Sequence, residues 1–382
     1  MKAKKILSAF CIAGIVLLLT TALIYHRLTS RNKAVAKGIF LYKTGLADKN
    51  WQLRNNTKKY TLTSPDFLID GIYKSMEGPT SMHVVELTQD TALIWLTGFK
   101  VQALDAKTKK KISNDFVCHT NFDLNEVKYY DGLHLKNRIG TKYPRVTSLS
   151  HGMESFHFPK GYGVPMRGND LLNVTTESLN HNIKDTVLWV KHQVDIEYSQ
   201  QELKPLMFGS AFIMLPYDEY DPYKEPMDPS KNYCIPIETG AHNYKNSEGK
   251  RLSGHWVIPK GKNTYRSSAN TQLQIKDSLR LHAAAIHVHP FATSITLFDK
   301  TKNAAVFTSN IVNFKDRIGI ESIEPFSSEE GIWLYKSHEY EVVLTVDNTT
   351  HIDQDMMGTM FLFFYDSELD ALLHHRSKTK KL

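Results

Sequence analysis

The sequence predicts an all-β protein with two antiparallel β-sandwich domains that follow an N-terminal helix. After residue 60, short runs rich in β-branched and aromatic residues recur, Gly, Pro, Asn and Asp separate them, and amphipathic helices are scarce. Many short strands between turn signals are typical of β-sandwiches. The 382 residues of the chain suffice for two such domains.

The N-terminal helix is predicted to cross a membrane. Residues 6–25 form an uncharged apolar run, which is about the 20 residues that a helix needs to span a bilayer. Lys2, Lys4 and Lys5 precede the run. We therefore predict an uncleaved signal anchor, and a cleaved signal peptide is the alternative. The body is expected in the periplasm or the extracellular or lumenal space, although the basic residues after the run oppose that orientation.

The basic charge of the chain is confined to its N-terminal part. The whole chain carries a net charge of +7, whereas residues 1–60 contain twelve basic residues and one acidic residue. The remaining chain is therefore at −4, which argues against a nucleic-acid partner. Basic residues beside a membrane helix fit anionic lipid head groups. The ordinary composition, 41% hydrophobic and 23% charged, excludes a largely disordered or fibrous protein.

The pattern predicts five segments along the chain. These are the membrane helix 1–25, a basic juxtamembrane segment 26–60, an N-terminal β-sandwich 61–200, a C-terminal β-sandwich 201–370 and a basic tail 371–382. The polar stretch 199–205 is the predicted domain junction. Residues 217–234, dense in Tyr, Asp and Pro, are predicted to form a long surface loop, and residues 368–375 a short helical turn.

Nine strands are predicted from these runs. Their ranges are 81–87, 92–96, 186–196, 211–215, 279–289, 294–298, 304–308, 340–346 and 359–365.

A pair of histidines in strand 279–289 could bind a metal ion. His287 and His289 are two residues apart, so on a strand both imidazoles project from one face. Met356 and Met357 stand before strand 359–365. Thioether sulfur suits Cu(I) and imidazole suits both copper states. The alternatives are ordinary polar histidines and methionines that pack in the core.

These segments resemble the C-terminal half of the type II, ascorbate-dependent copper monooxygenases, the family of peptidylglycine α-hydroxylating monooxygenase and dopamine β-monooxygenase. The resemblance rests on LRLHAAAIHVHPFATSITLFD (279–299), DNTTHIDQDMMGTMFLFFYD (347–366) and the approach HWVIPKGKNTY (255–265). It implies two jelly-roll-like domains. It also implies a copper ion bound by His287, His289 and Met357, with Met356 as the alternate ligand.

The same resemblance offers three residues to orient these ligands, His351, Asp353 and Asp355. Each of them could equally be an ordinary polar residue of a loop.

A second, electron-donating copper site is implied for the N-terminal half, where FPKGYGVPM (158–166) and TVLWVKHQVDIEY (186–198) resemble family strands. Its three histidines are not reproduced. In DFVCHTNFD (115–123), His119 falls where one is expected and Cys118 replaces another. Lys191 occupies the third position, with His192 beside it. Either the site uses His119 with His192 or Cys118, or it is lost.

His151 and His157 are further candidates for an altered N-terminal site. A disulfide between Cys118 and Cys234 is the alternative use of these cysteines in an oxidising compartment.

The sequence thus predicts a membrane-anchored copper-binding protein. By resemblance, it would hydroxylate a carbon of a small or peptidic substrate with O2 and ascorbate or another one-electron donor. The alternatives are a non-catalytic copper binder and a metal-free binding module of the cell envelope. The motifs of phosphate-binding loops, serine hydrolases and zinc proteases do not occur in the sequence.

Overall fold

The computed structural model describes residues 2–56, 58–141, 144–216, 248–249 and 252–379. Within these residues the protein is mostly β, with several antiparallel sheets, which confirms the predicted fold class at that level. The described helices are α1 (Lys2–Arg27), α2 (Ser30–Thr44), α3 (Glu126–Gly132), α4 (Asn270–Leu273) and α5 (Ser367–Thr379).

The strands form two groups along the chain. The first group contains β1 (Gln52–Asn56), β2 (Lys59–Thr63), β3 (Phe67–Ile69), β4 (Thr80–Val85), β5 (Leu93–Asp105), β6 (Val117–Leu124), β7 (Arg145–Ser150), β8 (Ser155–His157), β9 (Tyr162–Arg167), β10 (Leu172–Ser178) and β11 (Leu188–Ser199). The second group contains β12 (Lys204–Phe212), β13 (Leu215–Pro216), β14 (Leu252–Ser253), β15 (His255–Ile258), β16 (Gly261–Ser268), β17 (Ser278–Val288), β18 (Ala292–Asp299), β19 (Ala304–Asn313), β20 (Ile320–Ile323), β21 (Phe326–Tyr335), β22 (Tyr340–Asn348) and β23 (Gln354–Tyr365).

One long sheet crosses both groups, in the order β1-β2-β11-β5-β9-β12-β23-β17-β21. Its pairings are antiparallel except for β9 with β12, which are parallel. This short pairing joins the two groups where the sequence predicts a domain junction. Strand β15 pairs with β23 beside β12.

Two smaller sheets cover the long sheet. The sheet β4-β10-β6-β7 packs on the first group, where the rings of Phe99 on β5 and Phe122 on β6 have centroids 4.5 Å apart. The sheet β16-β22-β18-β19-β20 packs on the second group. There, a Cβ added to Gly358 of β23 would lie 3.2 Å from Leu344 of β22. Glycine therefore permits the close approach of the two layers.

Several strands extend beyond their predicted limits. Strand β5 continues past the predicted end at residue 96 to Asp105, and β12 begins before the predicted range 211–215 and shares only residues 211–212 with it. Several strands have no counterpart among the nine predicted ranges, among them the buried strands β6 and β7 and the more exposed strands β16 and β21. For β16 and β21 the missing signal has a physical cause, because an exposed strand needs few apolar side chains. The predicted turn at 368–375 is part of the longer helix α5.

The N-terminal segment is helical and partly folded onto the body. Helix α2 begins after Thr29, whose side chain accepts a hydrogen bond from the Asn32 amide, and ends at Gly45 with φ of 72°. The Nζ of Lys37 lies 2.5 Å from Asp70. Part of the predicted juxtamembrane segment thus belongs to the folded body.

The predicted membrane run 6–25 lies in α1, and the side chains of residues 1–11 and 18 are outside the described part. Among the described residues, no helix has the length and apolarity needed to cross a membrane.

Candidate metal centre

A carboxylate and two imidazoles lie together at the start of β23. The Oδ2 of Asp355 is 2.8 Å from the Nδ1 of His289 and 3.7 Å from the Nε2 of His255. One ligand atom of each residue lies within 4.8 Å of those of the other two, and both histidines are buried. Two imidazole nitrogens and a carboxylate oxygen are donors that transition metals accept. We refer to Asp355, His289 and His255 as the trio.

The strand register explains why these side chains meet. His255 on β15 lies opposite Met357 on β23. Opposite residues of an antiparallel pair share a face, as do residues two apart on one strand, so Asp355 is on this face as well. On the other side of β23, His287 lies opposite Thr359. Alternation along β23 therefore puts His287 on the same face as the trio.

The two candidate methionines lie on opposite faces of β23. Met356 is fully buried in the hydrophobic core, opposite Trp256. Met357 is also buried but is not part of that core cluster. Met357 is therefore the methionine on the face of the trio.

A row of imidazoles continues from the trio towards the first strand group. The ring centroids of His289 and His287 are 5.8 Å apart, and those of His287 and His119 are 6.2 Å apart. His119 lies on β6, so both strand groups contribute to the row. The Nδ1 of His287 has no hydrogen-bond partner in the part of the chain that the structure describes. A buried nitrogen in this state costs free energy unless it binds a metal ion or another group.

Burial and neighbouring charges keep Asp355, His287 and His119 in the protonation states that bind metals. Burial alone would raise the pKa of Asp355, but the imidazoles of His289 and His255 hold that pKa well below its usual range. Burial lowers the pKa of His287 far below its usual value and, together with the charge of Arg145, that of His119 to about 3. An ionised carboxylate at Asp355 and neutral imidazoles at His287 and His119 are metal-binding forms, so these three side chains need not lose protons to bind a metal at neutral pH.

A small cavity adjoins the row of imidazoles. Its volume is about 30 Å³, and Cys118, His119, His181, His287 and His289 are among its lining residues. The Nε2 of His181, at the end of β10, has no hydrogen-bond partner within the described residues, and burial lowers the pKa of His181 to about 4. The cavity has room for about two water molecules, and hence for a small ligand of a metal ion.

The N-terminal candidates separate into two places. His119 is in the row, and its Nδ1 lies 3.3 Å from the Sγ of Cys118. His192 lies outside the cavity, with its Nδ1 2.7 Å from the Oγ1 of Thr176 and its Nε2 3.2 Å from the backbone oxygen of Phe116. Protein groups therefore contact both of its ring nitrogens.

By resemblance, Lys191 occupies a ligand position of the family. In the structure it forms ion pairs with two aspartates instead. It is buried, and its Nζ lies 3.1 Å from both Asp48 and Asp66.

The remaining candidate histidines and cysteine are peripheral or outside the described part. His151 lines the small cavity, but its Nε2 lies 2.8 Å from Asp115. His157 is exposed and lies 3.4 Å from Glu197. Cys234 and the predicted loop 217–234 lie outside the described residues.

Among the residues predicted to orient the ligands, only Asp355 is in the centre. His351 and Asp353 are exposed, and the Nδ1 of His351 is 3.3 Å from the Nζ of Lys260.

The sequence alone did not single out His255 or His181. His255 belongs to the quoted segment HWVIPKGKNTY, and its alternation with buried Trp256 and Ile258 marks a strand. Its contact with Asp355 depends on a pairing between strands that lie about a hundred residues apart, which local pattern does not reveal. His181 follows β10 in a turn and carries no local signal.

Comparison with known proteins assigns no family to the chain. No protein family and no curated protein matches it. Among solved structures, PNGase F, a glycosylasparaginase from Flavobacterium meningosepticum, is 8% identical, with 81% of this chain and 96% of that chain covered and a TM-score of 0.34. The empty top-component particle of cowpea mosaic virus is 11% identical, with 75% and 89% covered and a TM-score of 0.31.

Because these identities and TM-scores are so low, they assign nothing to this chain. The resemblance to copper monooxygenases therefore stays a prediction.

Proposed function

We propose that this protein binds a single copper ion at the trio of Asp355, His289 and His255. The observation that carries the proposal is the half-buried Asp355 carboxylate between two buried imidazoles, with one ligand atom of each residue within 4.8 Å of the others. Imidazole-rich sites bind Cu²⁺ more tightly than the other common divalent metals. Met357, opposite His255 on the same face, is the thioether candidate that would favour Cu(I).

The predicted ligand set is thereby extended. His289 and Met357 remain proposed ligands, and the trio adds His255 and Asp355. His287, with a buried nitrogen that has no partner among the described residues, is a further ligand or a neighbour that orients His289. A bound copper ion would supply one-electron redox chemistry. The residues around it would hold it beside a cavity of about 30 Å³.

Copper binding without catalysis fits this geometry best. The resemblance implies two copper sites that face each other across a solvent-filled cleft. In this chain, the ring centroids of His119 and His287 stand 6.2 Å apart beside a cavity of about 30 Å³. Both strand groups therefore contribute to one compact centre, and the resemblance to an enzyme lies in the ligand motif.

Hydroxylation of a carbon with O2 and ascorbate, or another one-electron donor, is the second candidate. It is favoured by the joint presence of His287, His289 and Met357 on one face. Oxygen uptake by copper-loaded protein, with ascorbate and glycine-extended peptides or phenolic amines, tests it. Uptake above the ascorbate-only rate that is lost in His289→Gln supports hydroxylation. Equal rates with and without substrate contradict it.

We also propose that the two strand groups are jelly-roll-like sandwich domains and that the apolar run 6–25, only part of whose side chains the structure describes, anchors them to a membrane. The apolar side chains of Leu17, Leu19 and Leu23 are 60–68% exposed. The hydroxyls of Thr20 and Thr21 donate to carbonyls one helical turn earlier, as lipid would require. The body would then lie in the periplasm or in the extracellular or lumenal space. Protease accessibility in spheroplasts or vesicles tests this topology.

Metal stoichiometry tests copper binding. The full-length protein in detergent is loaded with Cu(II) or Cu(I), desalted and analysed for metal per chain. We expect one copper ion per chain in the wild type, and its loss in His289→Gln and in Asp355→Asn. Nitrogen hyperfine structure in the electron paramagnetic resonance spectrum of the Cu(II) form would report the imidazole ligands.

Two matched controls make the result specific. His338→Gln breaks a similar histidine–aspartate pair, with Nδ1 2.7 Å from Asp299, and should leave copper binding unchanged. Met357→Leu should weaken Cu(I) more than Cu(II), whereas Met356→Leu, in the core, should affect neither. Copper that is retained in both His289→Gln and Asp355→Asn would contradict the proposal.

A further inference from the structure

A second cavity lies at the opposite end of β17 and β23 from the trio. Its volume is about 450 Å³, within the range of about 300–1,000 Å³ that is typical of small-molecule pockets. It is lined by residues 278–280 of β17, residues 365–368 at the end of β23 and residues of the segment 130–141. Arg280 is seven residues before His287 on β17, which corresponds to about 24 Å along the strand, and His289 of the trio lies two residues further on.

The cavity presents flat apolar surface from both strand groups. Tyr130 comes from the first group, and Phe208, Trp333 and Tyr365 come from the second. Leu279 adds an aliphatic side chain. Aromatic walls of this kind favour a ligand with a flat, apolar body.

One wall of the cavity is fixed by an ion-pair cluster. The Nη1 of Arg138 lies 2.5 Å from Asp366, and its Nη2 lies 2.8 Å from Asp366 and 2.6 Å from Glu368. Asp366 is buried. A bidentate pair of this kind occupies the guanidinium. Arg138 therefore holds the wall in place and leaves ligand recognition to other residues.

Arg280 is a lining cation that remains available to a ligand. Its guanidinium carbon lies 5.5 Å from the ring centroid of Trp333, and its Nε has no hydrogen-bond partner among the described residues. Lys276 lines the same cavity. A guanidinium stacked on an aromatic ring keeps its edge donors in the plane that a carboxylate matches.

We propose that this cavity binds a small organic carboxylate with a flat, apolar body. Arg280 contacts the carboxylate, and the aromatic side chains cover the body of the ligand. The site shares no lining residue with the trio, so it does not depend on copper binding.

A matched pair of probes tests the proposal on the full-length protein in detergent. Isothermal titration calorimetry compares 2-naphthylacetate with 2-naphthylacetamide, which has the same body without the charge, and the titration into detergent alone is subtracted. We expect the acid to bind at least about tenfold more tightly than the amide, because a charged hydrogen bond is roughly twice as strong as a neutral one. The cationic probe 2-naphthylethylamine should bind more weakly than the acid.

Two variants locate the effect. Arg280→Gln should reduce the affinity for 2-naphthylacetate about tenfold and leave the amide unchanged. Lys302→Gln is the control, because the Nζ of Lys302 lies 5.3 Å from the ring centroid of Tyr335 outside this cavity. Equal binding of acid and amide by the wild type overturns the proposal, even if Arg280→Gln fails to fold. So does tighter binding of the amine, no binding of the acid, or an unchanged affinity in folded Arg280→Gln.

Discussion

Glu177 is a buried carboxylic acid beside the metal centre. It lies on β10 opposite His119 of β6, and its Oε1 has no hydrogen-bond partner within the described residues. Burial raises its pKa to about 8. The folded protein thus keeps a proton that the unfolded chain loses near pH 4.5, so Glu177 lowers the stability as the pH rises from 4.5 towards 8.

Replacement of Glu177 by Gln should remove this loss of stability with rising pH. We expect Glu177→Gln and the wild type to have similar free energies of unfolding at pH 5. The variant should become more stable by about 1 kcal/mol for each further pH unit up to pH 8. Urea unfolding at several pH values measures the difference, with Glu329→Gln on the exposed surface as control. A difference that does not grow with pH would contradict the shifted pKa of Glu177.

Strand β11 is tied to the preceding loops by a buried lysine. The Nζ of Lys191 lies 3.1 Å from Asp48 and from Asp66, and its side chain is 1% exposed. Loss of the cation leaves two carboxylates without this partner, and breaking a buried pair typically costs about 3–5 kcal/mol. Because both carboxylates are partly exposed, we expect Lys191→Ala to lower the free energy of unfolding by about 3 kcal/mol, at the lower end of that range.

Strand β2 offers a matched comparison on the same sheet. Lys59 pairs with Asp195 of β11 at 3.0 Å, but its side chain is 39% exposed. Surface pairs contribute about 0–1 kcal/mol, so Lys59→Ala should cost less than about 1 kcal/mol. Chemical unfolding of Lys191→Ala and Lys59→Ala measures the loss in the free energy of unfolding for each. Equal losses would show that burial does not set the contribution of these lysines.

The whole molecule contains several histidines that are buried in their neutral form. Burial lowers the pKa of His192 and of His181 to about 4 and that of His119 to about 3. The unfolded chain binds these protons near pH 6.5, before the folded protein does. Stability should therefore fall as the pH decreases from 6.5 to 4, by about 1 kcal/mol per pH unit for each such residue.

Urea unfolding of the metal-free protein between pH 7.5 and 4 measures this dependence. Copper should raise the free energy of unfolding at pH 7.5. This increase should disappear on acidification, because copper binds neutral imidazole. In Glu177→Gln, which lacks the opposite pH dependence of Glu177, a free energy of unfolding that stays constant between pH 6.5 and 4 would show that these histidines titrate alike in the folded and unfolded chains.

The sequence by itself determined which side chains share a strand face. Alternation along 279–289 places His287 and His289 together, and alternation along β23 separates Met356 from Met357, because successive side chains of a strand point to opposite faces. The recurrence of short apolar runs likewise sufficed for the mostly β fold. These features are local, so they can be read without knowledge of strand pairing.

Only the tertiary structure decided which faces meet. His255 reaches Asp355 because β15 pairs with β23, and His119 approaches His287 because a smaller sheet packs over the long sheet. Such pairings are selected by burial of apolar surface over the whole molecule, and a shift of one residue would turn every side chain to the other face. For the same reason, a lysine that resembles a ligand position in the sequence, Lys191, is held by two aspartates away from the metal centre.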